Sequence, residues 1–112
     1  MSAKRRKRPN RSAAPIFAAL GDETRLRLVV RLSTDGPLSI TRLTSGASVT
    51  RQAITKHLEV LAAAGLASCA REGRESVWEL EEEPFEAARR CLDGISAQWD
   101  RALDRLKKFV ED

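Results

Sequence analysis

Histidine is almost missing from these 112 residues: His57 is the only one. Cysteine is scarce as well. Cys69 and Cys91 stand far apart, with neither the spacing of a metal site nor the number needed for a disulfide framework. The chain has no glycine-rich phosphate loop and no carboxylate pair set for acid–base work. An enzyme would need a nucleophile with its base, a metal or a cofactor cradle, so no catalytic residue and no cofactor is expected. No apolar run approaches the roughly 18 residues that cross a bilayer. No apolar stretch follows the charged N-terminus as it would in a signal peptide. These absences predict a cytoplasmic protein with no membrane partner.

What is present is positive charge, unevenly placed. The formal net charge is +4, yet Lys4, Arg5, Arg6, Lys7, Arg8 and Arg11 carry six positive charges. Without them, 14 basic residues face 16 acidic ones. The basic excess therefore belongs to residues 1–14, which lack apolar periodicity and read as a disordered arm. Such an arm either solubilises the protein or neutralises phosphates in a salt-dependent way. Residues 15–112 form one domain, small enough that pairing with a second copy would help it bury surface.

Within that domain the punctuation is clear. Pro15 suits the first turn of a short helix over 15–20, ended by Gly21. Asp22 caps a helix over 23–32 with Leu26, Val29, Val30 and Leu32 directed inward. Asp35-Gly36-Pro37 turns the chain, and Ser39 caps a third helix carrying Ile40 and Leu43. Ser45-Gly46 breaks it. Thr50 caps a fourth helix that runs to residue 64, with Ile54, Leu58 and Leu61 as its buried stripe and Gly65 beyond its end. Residues 66–72 and 76–80 then read as a β-hairpin around Gly73-Arg74-Glu75, with Trp78 and Leu80 on one face. Acidic residues 81–83 and Pro84 open a long last helix over about 85–111. The predicted class is mainly α with a small β-hairpin, in the order α-α-α-α-β-β-α.

A short helix, a tight break and a capped helix with a polar start make a helix-turn-helix pattern. At about 100° per residue, Gln52, Thr55, Lys56 and Glu59 fall opposite the Ile54–Leu58–Leu61 stripe. Arg51 stands in the first turn. These side chains suit base edges: arginine to guanine, glutamine to adenine, threonine by hydroxyl or methyl. Thr50 and the helix N-terminus suit a phosphate, and Ser39 joins them as a DNA-facing candidate on the preceding helix. His57, at the edge of the buried stripe, reads first as a hydrogen-bonding boundary residue and second as a phosphate contact. Arg71 and Arg74 bracket the hairpin tip, where a ribbon lies against the backbone or enters a narrow minor groove. The expected partner is double-stranded DNA. A winged helix that binds only proteins is the alternative, and the donor set on the fourth helix argues against it.

Phe85, Ala88, Leu92, Ile95, Trp99, Leu103, Leu106 and Val110 recur every three or four residues along the last helix. One small domain cannot cover that stripe, and Ile16, Phe17 and Leu20 add apolar surface on the first helix. A two-fold homodimer through the terminal helices is expected, with half-sites about 34 Å apart or a multiple of that.

The run Pro15-Ile16-Phe17-Ala18-Ala19-Leu20-Gly21-Asp22-Glu23-Thr24-Arg25-Leu26-Arg27-Leu28 resembles the opening of the ArsR/SmtB family of bacterial winged-helix regulators. Residues 49–61 with Ala64-Gly65-Leu66 resemble that family's recognition helix, and Gly73-Arg74 with Trp78 and Leu80 its wing. The resemblance implies a dimeric, operator-binding repressor released by an effector, without identifying that effector. In its metal-sensing members the third helix carries two thiolates and an acid. Ser39, Thr41 and Arg42 stand there instead, and the last helix has no histidine, so no metal is expected. Cys69 and Cys91 read as small half-buried apolar residues.

Overall fold

Backbone groups at helix ends must be satisfied locally, and the side chains of Asp22, Ser39 and Thr50 do this at the starts of three helices. The computed structural model describes residues 13–111; the basic arm that the sequence singles out, up to Arg11, lies outside them. Helix α1 spans Ala14–Leu20, with Pro15 in its first turn. It starts one residue earlier than the composition suggests. Gly21 ends it with an ordinary negative φ, so its value lies in close approach rather than handedness. A Cβ there would sit 3.3 Å from the Phe17 carbonyl oxygen.

Helix α2 spans Glu23–Asp35. Asp22, in extended backbone, accepts the Arg25 N–H on Oδ2 at 3.0 Å. This bond, ahead of all other influences, holds the Asp22 carboxyl below the usual carboxylate range. Partial desolvation opposes the shift, and the nearby Arg25 charge supports it. The inward face of α2 is Leu28, Val29 and Leu32. Leu26 and Val30, expected inside, are 48% and 56% exposed. The helix is apolar on two sides, so periodicity alone leaves its phase open, and packing selects the side that carries Leu28.

Strand β1, Leu38–Ser39, is an addition to the expected hairpin. It pairs antiparallel with β3, Leu38 opposite Trp78 and Ser39 opposite Val77. Two residues are too few to show an alternating pattern in sequence. Ser39 also caps helix α3, Ile40–Thr44, where its Oγ accepts the Arg42 N–H at 3.1 Å. Helix α4 spans Arg51–Ala63. It closes through two bonds, Gly65 N–H to the Ala62 carbonyl and Leu66 N–H to the Leu61 carbonyl, both 2.9 Å. This paired arrangement needs a left-handed residue, which Gly65 supplies at φ 81°.

Strands β2, Ala67–Glu72, and β3, Glu75–Leu80, complete a three-stranded antiparallel sheet ordered β1-β3-β2. The core is one cluster in which Leu43, Leu58, Leu61 and Leu66 are fully buried, each worth roughly 1.5–3 kcal/mol. Trp78 closes it from the sheet. Beyond Ser68 strand β2 leaves this core, so Cys69 is exposed rather than half-buried.

Helix α5 spans Glu82–Glu111, three residues longer at its start than expected. Pro84 is tolerated there because the first-turn N–H groups have no helical partner. Ala88 is its only buried residue. From Arg89 onward nearly all of it stands clear of the body, and Cys91 is exposed for that reason.

Candidate nucleic-acid interface

The start of α4 is built by its cap. Thr50 sits in extended backbone and its Oγ1 accepts the Ala53 N–H at 3.1 Å, fixing the helix entry. Ile54, Leu58 and Leu61 anchor one face in the core. Arg51, Gln52, Lys56 and Glu59 are exposed on the remainder. Thr55 is half-buried, and its hydroxyl donates to the Arg51 carbonyl at 2.9 Å. That bond uses the hydroxyl proton within the helix and leaves the methyl as the part suited to a thymine.

The wing is a two-residue turn. Glu72 pairs with Glu75 across it, leaving Gly73 and Arg74 at the tip. Gly73 has φ 64°, as a primed hairpin turn with glycine in its first central position requires. Arg71 and Arg74 are both exposed. Thr41 Oγ1 donates to Glu75 Oε1 at 3.4 Å, joining α3 to the first residue of β3. Helix α3 also packs on α4 and β3, so the helix-turn-helix and the wing share one support.

His57 faces a different neighbourhood from Arg51 and Gln52. Its Nδ1 lies 3.3 Å from an Arg25 guanidinium nitrogen and 3.8 Å from Asp22 Oδ2. Guanidinium can only donate, so Nδ1 accepts and the ring proton sits on Nε2. Arg25 Nε donates to the Ala19 carbonyl at 2.6 Å. One guanidinium thus joins the end of α1 to the recognition helix. Sequence periodicity offers no hint of this, because Arg25 reads simply as a residue off the apolar stripe.

Three arginines on α2 and α5 have a carboxylate partner within their own helix. Arg27 pairs with Glu23 at 2.6 Å, Arg31 with Asp35 at 3.7 Å and Arg89 with Glu86 at 3.6 Å. Among the described residues, Arg51, Lys56, Arg71 and Arg74 take part in no ion pair. Neither does Arg42, exposed on α3. The sequence reading treats Arg42 only as the replacement of a metal ligand. Its place on the first helix of the helix-turn-helix is the signal that adds it to the candidate DNA-facing residues. Ser39 is half-buried and its hydroxyl serves the α3 cap.

The other candidate surface lies on the terminal helices. Leu92, Ile95, Trp99, Leu103 and Leu106 are all at least half exposed, Trp99 at 63%. Ala102 and Phe109 extend the pattern. The positions 92, 95, 99, 102, 106 and 109 alternate in steps of three and four, the spacing of a helix–helix seam. Ile16 and Leu20 on α1 already pack in part against the chain's own core, and Phe17 is half-buried.

A capped helix with a polar start, supported by two shorter helices and followed by an arginine-tipped hairpin, defines a winged helix-turn-helix DNA-binding protein. Residues 20–69 match a family model described as a helix-turn-helix domain. The HTH-type transcriptional regulator Rv2034 of Mycobacterium tuberculosis is 34% identical over 101 residues, covering 90% of this chain and 91% of that protein. YuzN of Bacillus subtilis, also an HTH-type transcriptional regulator, is 42% identical over 76 residues, covering 62% of this chain and 83% of YuzN. The structure of an ArsR-like transcriptional regulator from Rhodococcus sp. RHA1 superposes with a TM-score of 0.71 at 37% identity, covering 87% of this chain and 91% of that one. The chain belongs to the ArsR family of winged helix-turn-helix, DNA-binding transcriptional regulators. No helix among the described residues is long and apolar enough to cross a membrane.

Proposed function

We propose that this protein is a cytoplasmic homodimeric repressor that binds a pseudo-palindromic operator, its own promoter among the sites, and acts by binding rather than catalysis. One observation carries the reading: five cations, Arg42, Arg51, Lys56, Arg71 and Arg74, are exposed on the helix-turn-helix and wing and none of them takes part in an ion pair among the described residues. Arg51 and Gln52 read base edges in the major groove, and the Thr55 methyl contacts a thymine. Lys56 and the capped N-terminus of α4, with Thr50, hold phosphates. Ser39 and Arg42 face the backbone from α3, and Arg71 and Arg74 bring the wing to the adjoining groove. His57 acts mainly through Arg25, with Nε2–H as the donor left for a phosphate. The dimer forms through the α5 seam from Leu92 to Phe109, with Phe17 and the uncovered parts of Ile16 and Leu20 beside it.

The test is fluorescence anisotropy on the duplex upstream of the protein's own gene, against a scrambled duplex. The native sequence is expected to bind more tightly, and binding is expected to weaken with salt. Two bidentate contacts on each of two half-sites, at roughly 1–3 kcal/mol each, make the Arg51→Ala/Gln52→Ala variant weaker by about a thousandfold or more. Equal binding of both duplexes by native protein and variant alike would overturn the assignment.

A further inference from the structure

Away from the proposed DNA-facing surface and the α5 stripe, a groove of about 530 Å³ lies where α2, β3 and the start of α5 meet. Its floor is apolar: Val29, Leu32, Pro37, Leu80 and Phe85. Its rim is acidic, with Glu79, Glu81, Glu82 and Glu86 against the single cation Arg89. Arg89 is itself held by Glu86 at 3.6 Å, so three carboxylates at the rim have no counter-charge within the groove.

We infer that this groove binds an amphiphilic organic cation, an apolar body of drug-like size carrying one or two positive charges, as the regulator's effector. The volume lies within the range of small-molecule sites, whose usual composition is an apolar floor with a few charged groups at the edge. Charge complementarity decides the sign of the ligand, and the floor decides its character. The chain's own basic arm meets only half of this requirement. Residues 4–8 are all Lys or Arg and match the rim, but offer nothing to Leu32, Leu80 and Phe85. The groove uses α5 only as far as Arg89, ahead of the seam that starts at Leu92.

The effector role rests on the proposed DNA-binding function and follows from the walls. Glu79 and Leu80 end the wing strand β3. Gly36 and Pro37 lead into β1 and α3 of the helix-turn-helix, and Phe85 lies in the first turn of α5, the proposed dimer helix. A body wedged among them changes the angle between the reading elements and α5, and so favours one of two arrangements.

The test starts without DNA, so its failure is separate from failure of the DNA-binding reading. Calorimetric titration of the full chain compares tetraphenylphosphonium with tetraphenylborate, which match in size and differ in sign. The expected result is one phosphonium bound per chain and no borate at this site. Glu79→Gln/Glu81→Gln/Glu82→Gln should weaken the phosphonium about tenfold, since it removes three exposed charges worth a few tenths of a kcal/mol or more each. Circular dichroism of the variant checks that it is folded. Equal binding of both ions, or an unchanged affinity in the triple variant, overturns the site. Binding that emerges only after residues 1–12 are removed makes the arm the occupant and overturns the proposal. Saturation at one ion per two chains points to a pocket completed by a second copy and also overturns it. With DNA present, phosphonium should shift operator affinity at least fivefold in the native protein and not in the triple variant. An unshifted affinity despite binding removes the effector role.

Discussion

Arg74 offers the sharpest quantitative test of how the wing meets DNA. It occupies the second position of the hairpin turn, is exposed, and has no acidic partner among the described residues. A cation that neutralises one phosphate adds about 0.9 to the magnitude of the slope of log K against log salt. In the proposed dimer two wings contribute ~1.8. Between 50 and 200 mM salt the native protein should lose about twelvefold more affinity than Arg74→Ala, from that slope difference alone. Arg27→Ala is the internal control, because Arg27 already pairs with Glu23 at 2.6 Å and is exposed on α2. It should leave the slope unchanged. The assay is anisotropy on one operator duplex across five salt concentrations. If Arg74→Ala and Arg27→Ala give the same slope as the native protein, the wing arginine touches no phosphate and the charge-pairing argument is wrong. If both lower it equally, the effect is one of overall charge, and the local reasoning fails in a different way.

Three further outcomes follow from the geometry. Gly65→Ala forces a side chain into φ 81° with nothing closer than Pro84 Cγ at 4.0 Å; it should cost about 1 kcal/mol in urea unfolding at fixed protein concentration, and a cost above ~3 kcal/mol would point to packing instead. Trp99→Glu with Leu106→Glu places charge in the α5 seam; sedimentation should fall from twice the 12.4 kDa chain mass to that mass itself, and an unchanged dimer would place the interface elsewhere. Asp22, whose carboxyl is held low chiefly by the Arg25 N–H, adds stability that is present above its unfolded pKa. That stability is lost as pH falls through the lower folded value, below about pH 4. Asp22→Asn keeps a capping oxygen but should flatten that acid limb in urea midpoints taken from pH 7 to pH 3, whereas identical pH profiles would contradict the assigned cause.

Much of this protein was legible because its signals are local. Asp22, Ser39 and Thr50 each accept the N–H three residues on, and a cap with its helix needs only a few neighbouring residues. The Ile54–Leu58–Leu61 stripe and the glycine at the hairpin tip are of the same kind, and together they place Arg51, Gln52 and Lys56 on the outward face. Misreadings arose where the deciding partner is distant in sequence. Periodicity directs Leu26 and Val30 inward because α2 is apolar on two sides, and only the packing of other elements against Leu28 settles which side is covered. Cys69 and Cys91 are exposed because the wing and α5 run past the edge of the core, a matter of how far each element projects.

What the sequence alone determined is the order of elements, the recognition helix with its polar start and the wing with its arginine. Each is set by periodicity, capping or turn chemistry over a dozen residues. Tertiary structure alone decided the β1 strand opposite Trp78, the Arg25 bridge from Ala19 to His57, the Thr41–Glu75 link and the acid-rimmed groove. Those features join residues 6 to 60 positions apart. No local preference encodes such a meeting; it exists only once the core has brought the elements together.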